Sequence, residues 1–219
     1  MNAILLLSAG VGKRFGASLP KQYHLLYGKP VVQYALEAAL TACGVDAVVI
    51  AMDPAYLDYL GDISDPRLHF VRGGKERPDS VRNGLDCIRS LSGGSCDKLM
   101  ILQAVNPFVS AETVEKYFAL LDDYDAVTTA EKCPGELFNK DKFERLDRNA
   151  FYFCQSPEAF HFRDLDQYLD VNSPYSELIY HYPGTPRVAF FTEFHHNVKL
   201  TYISDLQFAE YLMQRAQES

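Results

Sequence analysis

Apolar residues along this chain fall into short continuous runs, separated by stretches with helical spacing. AILLLSAG (3–10) is a continuous apolar run entering a glycine loop, the pattern of a strand buried on both faces. PVVQYALEAALTA (30–42) carries apolar residues at helical spacing, with Pro30 suited to a first helical turn. DAVVIAMDP (46–54) and DPRLHFVRGG (65–74) then read as strands, and SVRNGLDCIRSL (80–91) as a helix. DKLMILQAVNP (97–107) reads as a fourth strand, SAETVEKYFALLDD (110–123) as a helix N-capped by Ser110, and DAVTTAEK (125–132) as a fifth strand. Strands alternating with helices imply right-handed crossovers and a mostly parallel sheet. The expected fold is α/β and Rossmann-like: a mostly parallel twisted sheet flanked by helices, in one domain spanning residues 1–219.

The alternation breaks between Cys133 and Phe153. That segment mixes turn residues with Phe138, Phe143, Phe151, Tyr152 and Phe153, which suits a β-hairpin arm protruding from the body and burying itself elsewhere. Regularity returns with FRDLDQYL (162–169) as a helix, RVAFFTEF (187–194) and NVKLTY (197–202) as strands, and SDLQFAEYLMQRAQ (204–217) as a last helix.

Composition narrows the function classes. A net charge of −8 with no basic stripe argues against a nucleic-acid surface, and no apolar run reaches the roughly 18 residues of a membrane span. The N-terminal apolar run lacks a basic flank and leads straight into a glycine loop, so it reads as a first strand rather than a signal peptide. Five cysteines without a C-x-x-C pair fit a reducing, cytoplasmic setting, not a disulfide framework or zinc site. The one close histidine pair, His195–His196, would alternate across a strand and cannot chelate from one face. No structural metal is expected.

The strongest local chemistry lies in LLSAGVGKRFGASLPKQ (6–22). A Walker loop would need Gly six residues before its Lys and Ser or Thr after it, whereas Lys13 has Leu7 and Arg14 there. A dinucleotide fingerprint would need Gly at the position of Phe15. What remains is a turn of backbone N–H groups around Gly10 and Gly12 with Lys13, Arg14 and Lys21 nearby. Amides that cradle oxygens and cations that neutralise them suit a triphosphate; a tight turn with solvated basic residues is the plainer alternative.

SAGVGKR followed by PKQ resembles the signature of the 2-C-methyl-D-erythritol 4-phosphate cytidylyltransferases and their polyol-phosphate relatives, such as the ribitol-5-phosphate cytidylyltransferases. Three further blocks agree in order. VRGGKERPDSVRNGL resembles G-G-x-x-R-x-x-S-V-x-x-G-L, DRNAFYFCQSPEAF resembles D-R-x-x-L-W-x-x-Q-T-P-Q-x-F, and HHNVKLTYISDLQFAE resembles the closing N-x-K-I-T-x-x-x-D-L. The resemblance implies a CTP-dependent nucleotidyltransferase of isoprenoid biosynthesis that joins CTP to a small polyol phosphate and releases pyrophosphate. It implies catalytic roles for Arg14, Lys21 and Lys199. Ser8, Ala9, Gly10, Gly12, Gly73, Gly74 and Ser80 would hold the nucleotide. Gln103, Asn106, Arg148, Ser156 and Asn172 occupy the acceptor positions. It further implies Mg²⁺, arriving on the CTP phosphates, and a homodimer joined through the arm at about 133–153.

The acceptor half departs from the family's pattern. Where the family writes D-A-A-R-P-F, this chain has Gln103-Ala104-Val105-Asn106-Pro107-Phe108, and Val171-Asn172 stands for Thr-Asp. An amide offers a metal only a neutral oxygen, and Asn106 lacks the charged fork of an arginine. Methylerythritol phosphate is the first expectation for the acceptor. Another polyol phosphate, or a paralogue that binds nucleotide without turnover, are the alternatives.

Overall fold

The computed structural model describes residues 1–175, 177–194 and 196–217. The chain runs β1 (Ala3–Leu7), a small hairpin β2 (Leu25–Leu26) and β3 (Lys29–Pro30), α1 (Val31–Thr41), β4 (Ala47–Met52) and β5 (Leu68–Arg72). Then come α2 (Arg77–Ser92), β6 (Lys98–Gln103), α3 (Ala111–Leu120) and β7 (Ala126–Lys132). A second hairpin, β8 (Leu137–Asn139) and β9 (Glu144–Leu146), precedes β10 (Tyr152–His161), α4 (Phe162–Tyr168), β11 (Val188–Phe191) and α5 (Ile203–Gln217).

Seven strands form one sheet in the order β11-β7-β10-β6-β1-β4-β5. All neighbours are parallel except β10, which runs antiparallel between β6 and β7. The two-residue period of a strand sorts the core into two layers. Ile4, Leu6, Val48 and Ile50 pack with Leu36 of α1 and Val114 and Tyr117 of α3 on one face. Ala3, Leu5 and Val49 meet Val81, Leu85 and Ile88 of α2 and Leu165 of α4 on the other. Each fully buried Leu or Ile contributes about 1.5–3 kcal/mol of transfer free energy. That burial on both faces is why these strands carry no polar alternation.

From β1 the chain moves out to β4 and β5, then returns to β6 on the opposite side of β1. The strand order therefore reverses between β1 and β6, and a crevice opens at their carboxyl ends, the usual ligand position in such sheets. Leu7 pairs with Gln103 there, and the Ala104 N–H donates to the Leu7 carbonyl at 3.0 Å.

Three details differ from the sequence expectations. The helix expected over 80–91 begins at Arg77, because Glu76 and Asp79 form a reciprocal capping box and Pro78 sits harmlessly in the first turn. Ser80 is thus a helical residue and not an N-cap. β10 is a central strand that sequence reading missed: Pro157 argues against a strand interior, and a register shift between Gln155 and Glu158 accommodates it. NVKLTY is not a strand. Among the backbone bonds of that segment, the Leu200 N–H donates to the Val105 carbonyl at 2.9 Å, which ties an extended connector to the turn after β6. The arm segment is a hairpin, with Phe138 set edge-on to Phe143 at 5.0 Å and Phe151 and Phe153 exposed. The expectation about the His195–His196 pair falls on His195, which lies outside the described residues.

Candidate active site

The loop after β1 owes its shape to two side chains of the following turn. The Gln22 amide donates to the carbonyls of Ser8 at 2.7 Å and Gly10 at 2.9 Å. The Tyr23 hydroxyl donates to the Ser8 carbonyl at 2.9 Å, and the Ser8 hydroxyl donates back to it at 3.2 Å. With those carbonyls held by the protein, the loop can turn its N–H groups outward, as an anion cradle requires. Gly12 adopts φ +66°, where a side chain would be strained. Gln22 and Tyr23 are structural determinants of the site that sequence reading passed over. The signal was the glutamine of PKQ, with Tyr23 directly after it.

The loop after β5 closes against the first. A Cβ on Gly73 would lie 2.0 Å from Cβ of Ala9, and one on Gly74 would lie 2.1 Å from Cβ of Asp79. The paired glycines thus serve close backbone packing between two loops and the start of α2. The Ser80 hydroxyl accepts from the Gly74 N–H at 3.0 Å and donates to the Glu76 carbonyl at 3.3 Å, fixing the second loop.

Between the two loops lies a cleft of about 410 Å³. Its walls bring together Ser8, Ala9, Gly10, Gly12, Arg14, Lys21, Gly74, Ser80 and Gln103, with Lys13, Arg77 and Thr201 beside them. Lys21 is held by its ammonium, which donates to the Leu200 carbonyl at 2.6 Å. Burial, then the charges of Lys199 and Arg14, lower its pKa to about 8, against a weaker pull from Asp205. Lys199 is also lowered, first by burial and then by Arg77 and Arg14, while Glu177 and Glu158 oppose the shift. Four cations (Arg14, Lys21, Arg77 and Lys199) therefore share one electrostatic neighbourhood. Such crowding is costly without a ligand and favours a polyanion that offsets it.

The remaining expected residues lie elsewhere. Gly73 sits behind the cleft wall against Ala9. Asn106 and Ser156 are buried in a closed set of bonds with Asn197. The Asn106 amide donates to Asn197 Oδ1 at 2.9 Å, the Asn197 amide donates to the Ser156 carbonyl at 2.9 Å, and the Ser156 hydroxyl donates to Asn106 Oδ1 at 3.2 Å. This clasp joins the turn after β6, the register shift in β10 and the segment that carries Lys199. Arg148 is exposed in the arm, donating to the Pro134 carbonyl at 3.1 Å. Asn172 is exposed in a turn, its N–H donating to Asp170. Neither lines the cleft.

Metal ligands are scarce at this point. Gln103 ends β6 with a neutral amide, and Glu76 is the one carboxylate among the described lining residues. No three His, Cys, Asp or Glu side chains cluster for a cation among the described residues. The residues present do not fit a resident Mg²⁺, which prefers carboxylates or substrate phosphates.

Comparison with known proteins accords with this geometry. A family profile described as 2-C-methyl-D-erythritol 4-phosphate cytidylyltransferase matches residues 2–215. The curated cytidylyltransferase of that name from Clostridium botulinum is 30% identical over 236 aligned positions, covering 98% of this chain and 100% of the relative. The one from Thermotoga neapolitana is 31% identical over 164 positions, covering 73% and 72%. Among solved structures, the 4-diphosphocytidyl-2C-methyl-D-erythritol synthase of Anaerococcus prevotii superposes with a TM-score of 0.80 at 21% identity, over 97% of this chain and 96% of that one. With a profile match over nearly its whole length and a full-length relative at this identity, the chain belongs to the 2-C-methyl-D-erythritol 4-phosphate cytidylyltransferase family.

Proposed function

We propose that this protein is a cytidylyltransferase that condenses CTP with 2-C-methyl-D-erythritol 4-phosphate, forming the CDP-polyol and pyrophosphate. The observation that carries the reading is the pair Arg14 and Lys21 in a glycine-loop cleft at the switch point of the sheet, with Lys199 outside the lining but near enough for its charge to act on Lys21. An acceptor phosphate oxygen attacks the α-phosphorus in line, a new P–O bond forms, and the bond to the bridging oxygen of the β-phosphate breaks. The acceptor phosphate is already an anion, so positioning and charge stabilisation suffice. Arg14 and Lys21 would offset the triphosphate charge, and Lys21 and Lys199 the charge that builds at the five-coordinate phosphorus. The loops around Ala9, Gly74 and Ser80 would enclose the cytidine. Mg²⁺ would enter as part of the substrate, on the CTP phosphates, in keeping with the shortage of carboxylates in the cleft.

A homodimer is part of the same proposal. The arm exposes Phe138, Phe143, Phe151 and Phe153, apolar surface that a second copy of the chain would cover. Light scattering should return twice the 24.7 kDa chain mass; the chain mass alone would refute this.

A second reading changes only the acceptor. Asn106 is spent on the clasp and Gln103 is neutral, so neither supplies a charged contact to an acceptor phosphate. Pyrophosphate release from CTP and Mg²⁺ with a panel of polyol phosphates separates the readings. Release with methylerythritol phosphate supports the first, release confined to ribitol 5-phosphate or a similar acceptor supports the second, and CTP binding without release on any acceptor overturns both.

A further inference from the structure

Glu158 is the most deeply buried acid near the cleft, at 1% exposure, and the cleft-lining residues do not include it. It stands in β10 just past the register shift, where the motif quoted above carries glutamine. One carboxylate oxygen faces the Arg77 guanidinium at 3.2 Å, and the other accepts the Ile179 N–H at 3.2 Å. Arg77 opens α2 and lines the cleft, while Ile179 lies in the 3₁₀ turn Leu178–His181 that follows the segment expected to meet the acceptor. One buried carboxylate thus joins three elements, which also share apolar packing through Val81, Phe160 and Leu178. A glutamine would accept from Ile179 but could not offer Arg77 a charged partner.

We propose that Glu158 is a positioning residue of the reaction: through its ion pair with Arg77 it fixes one wall of the cleft and, beside Glu177, supplies part of the negative charge that balances the cations around Lys199. The role rests on the cytidylyltransferase reading, whereas the electrostatic arrangement does not. Lys199 is faced by Arg77 from α2, Arg14 from the glycine loop, Glu177 ahead of the 3₁₀ turn and Glu158 from β10. Of the two acids that support its charge, Glu158 is the one locked in place by burial. Burial pushes the Glu158 carboxyl upward, and the Arg77 guanidinium is the principal opposing charge. Removing that carboxylate takes away the Glu158–Arg77 ion pair and one of the two acids that support the Lys199 charge.

The test titrates lysine amines by NMR in free protein carrying ¹³Cε-labelled lysine, with the Lys199 signal assigned through Lys199→Arg. In Glu158→Gln the Lys199 midpoint should fall by about half a pH unit or more, and in Arg77→Gln it should rise. The double variant should return toward wild type. A Lys199 midpoint unmoved in both single variants overturns the proposal. Turnover forms the second arm: Glu158→Gln should lose roughly tenfold in kcat with a smaller change in KM for CTP, the mark of misplacement more than lost binding. A kcat at the wild-type level with a shifted midpoint would also overturn the positioning role. The titration needs no substrate, so it distinguishes failure of this inference from failure of the activity reading. A variant lowered only in thermal stability, with an unmoved Lys199 midpoint, would show Glu158 to be structural and overturn the proposal as well.

Discussion

The Lys21 ammonium donates to the Leu200 carbonyl at 2.6 Å, joining residues 179 positions apart. Leu200 in turn donates its N–H to Val105, in the turn after β6. The glycine loop, the floor of the cleft and the segment carrying Lys199 are therefore one hydrogen-bonded unit. Lys21 holds its position before any ligand arrives, and electrostatic catalysis needs that preorganisation.

Lys21→Ala should lower kcat by about 10²–10³-fold, the scale of losing one preorganised donor at a developing charge. CTP affinity should fall far less. Steady-state kinetics with CTP varied at saturating acceptor measure both, and a wild-type kcat would remove Lys21 from the mechanism.

The lowered pKa of Lys21 sets a basic limb. The amine must be protonated to offset phosphate charge, so its contribution is present below about pH 8 and lost as pH rises through that value. kcat/KM should therefore fall above about pH 8 in wild type. Bound CTP brings negative charge and raises the amine again, so the limb in kcat should lie at higher pH than the limb in kcat/KM. Coincident limbs would count against this assignment, and Lys21→Arg should shift the limb in both profiles, leaving the contribution of Lys199, whose amine is also lowered.

Asn106→Ala should destabilise the fold by about 1–3 kcal/mol, because Asn197 Oδ1 and the Ser156 hydroxyl lose their partner inside a buried site. In a domain of this size each kcal/mol corresponds to about 2–4 °C in Tm. Differential scanning calorimetry checks it, and an unchanged Tm would mean that the clasp is not structural.

Gly73→Ala should force Ala9 and the second loop apart, since the new Cβ would fall 2.0 Å from the Ala9 Cβ. Overpacking of this kind costs about 1–3 kcal/mol and should weaken CTP binding alongside stability. Calorimetric titration with CTP reads the first effect, and wild-type affinity would exclude a role for this loop contact.

How much was legible before the structure depends on whether a signal is local. The parallel strands announced themselves through continuous apolar runs, and the nucleotide loop through Gly10, Gly12 and the cations around them, all within a short window. β10 was hidden because Pro157 looks incompatible with a central strand until the register shift is seen. Lys199 was placed by motif resemblance, while the strand reading of its segment failed. That segment is held by the Asn197 side chain, which accepts from the Asn106 amide and donates to the Ser156 carbonyl, bonds that no periodicity encodes. Asn106 stood where the family carries an arginine, and its burial in a clasp became visible only once residues 91 positions apart met. Glu158 gave no sign of its partner for the same reason: Arg77 lies 81 positions away.

The central claim is nucleotidyl transfer in this cleft, and ³¹P NMR of one reaction tests it most directly. With wild-type protein, CTP, Mg²⁺ and methylerythritol phosphate, the triphosphate signals should give way to free pyrophosphate and to the two coupled phosphorus signals of a CDP-polyol diester. Intact CTP and unchanged methylerythritol phosphate after prolonged incubation would contradict the account.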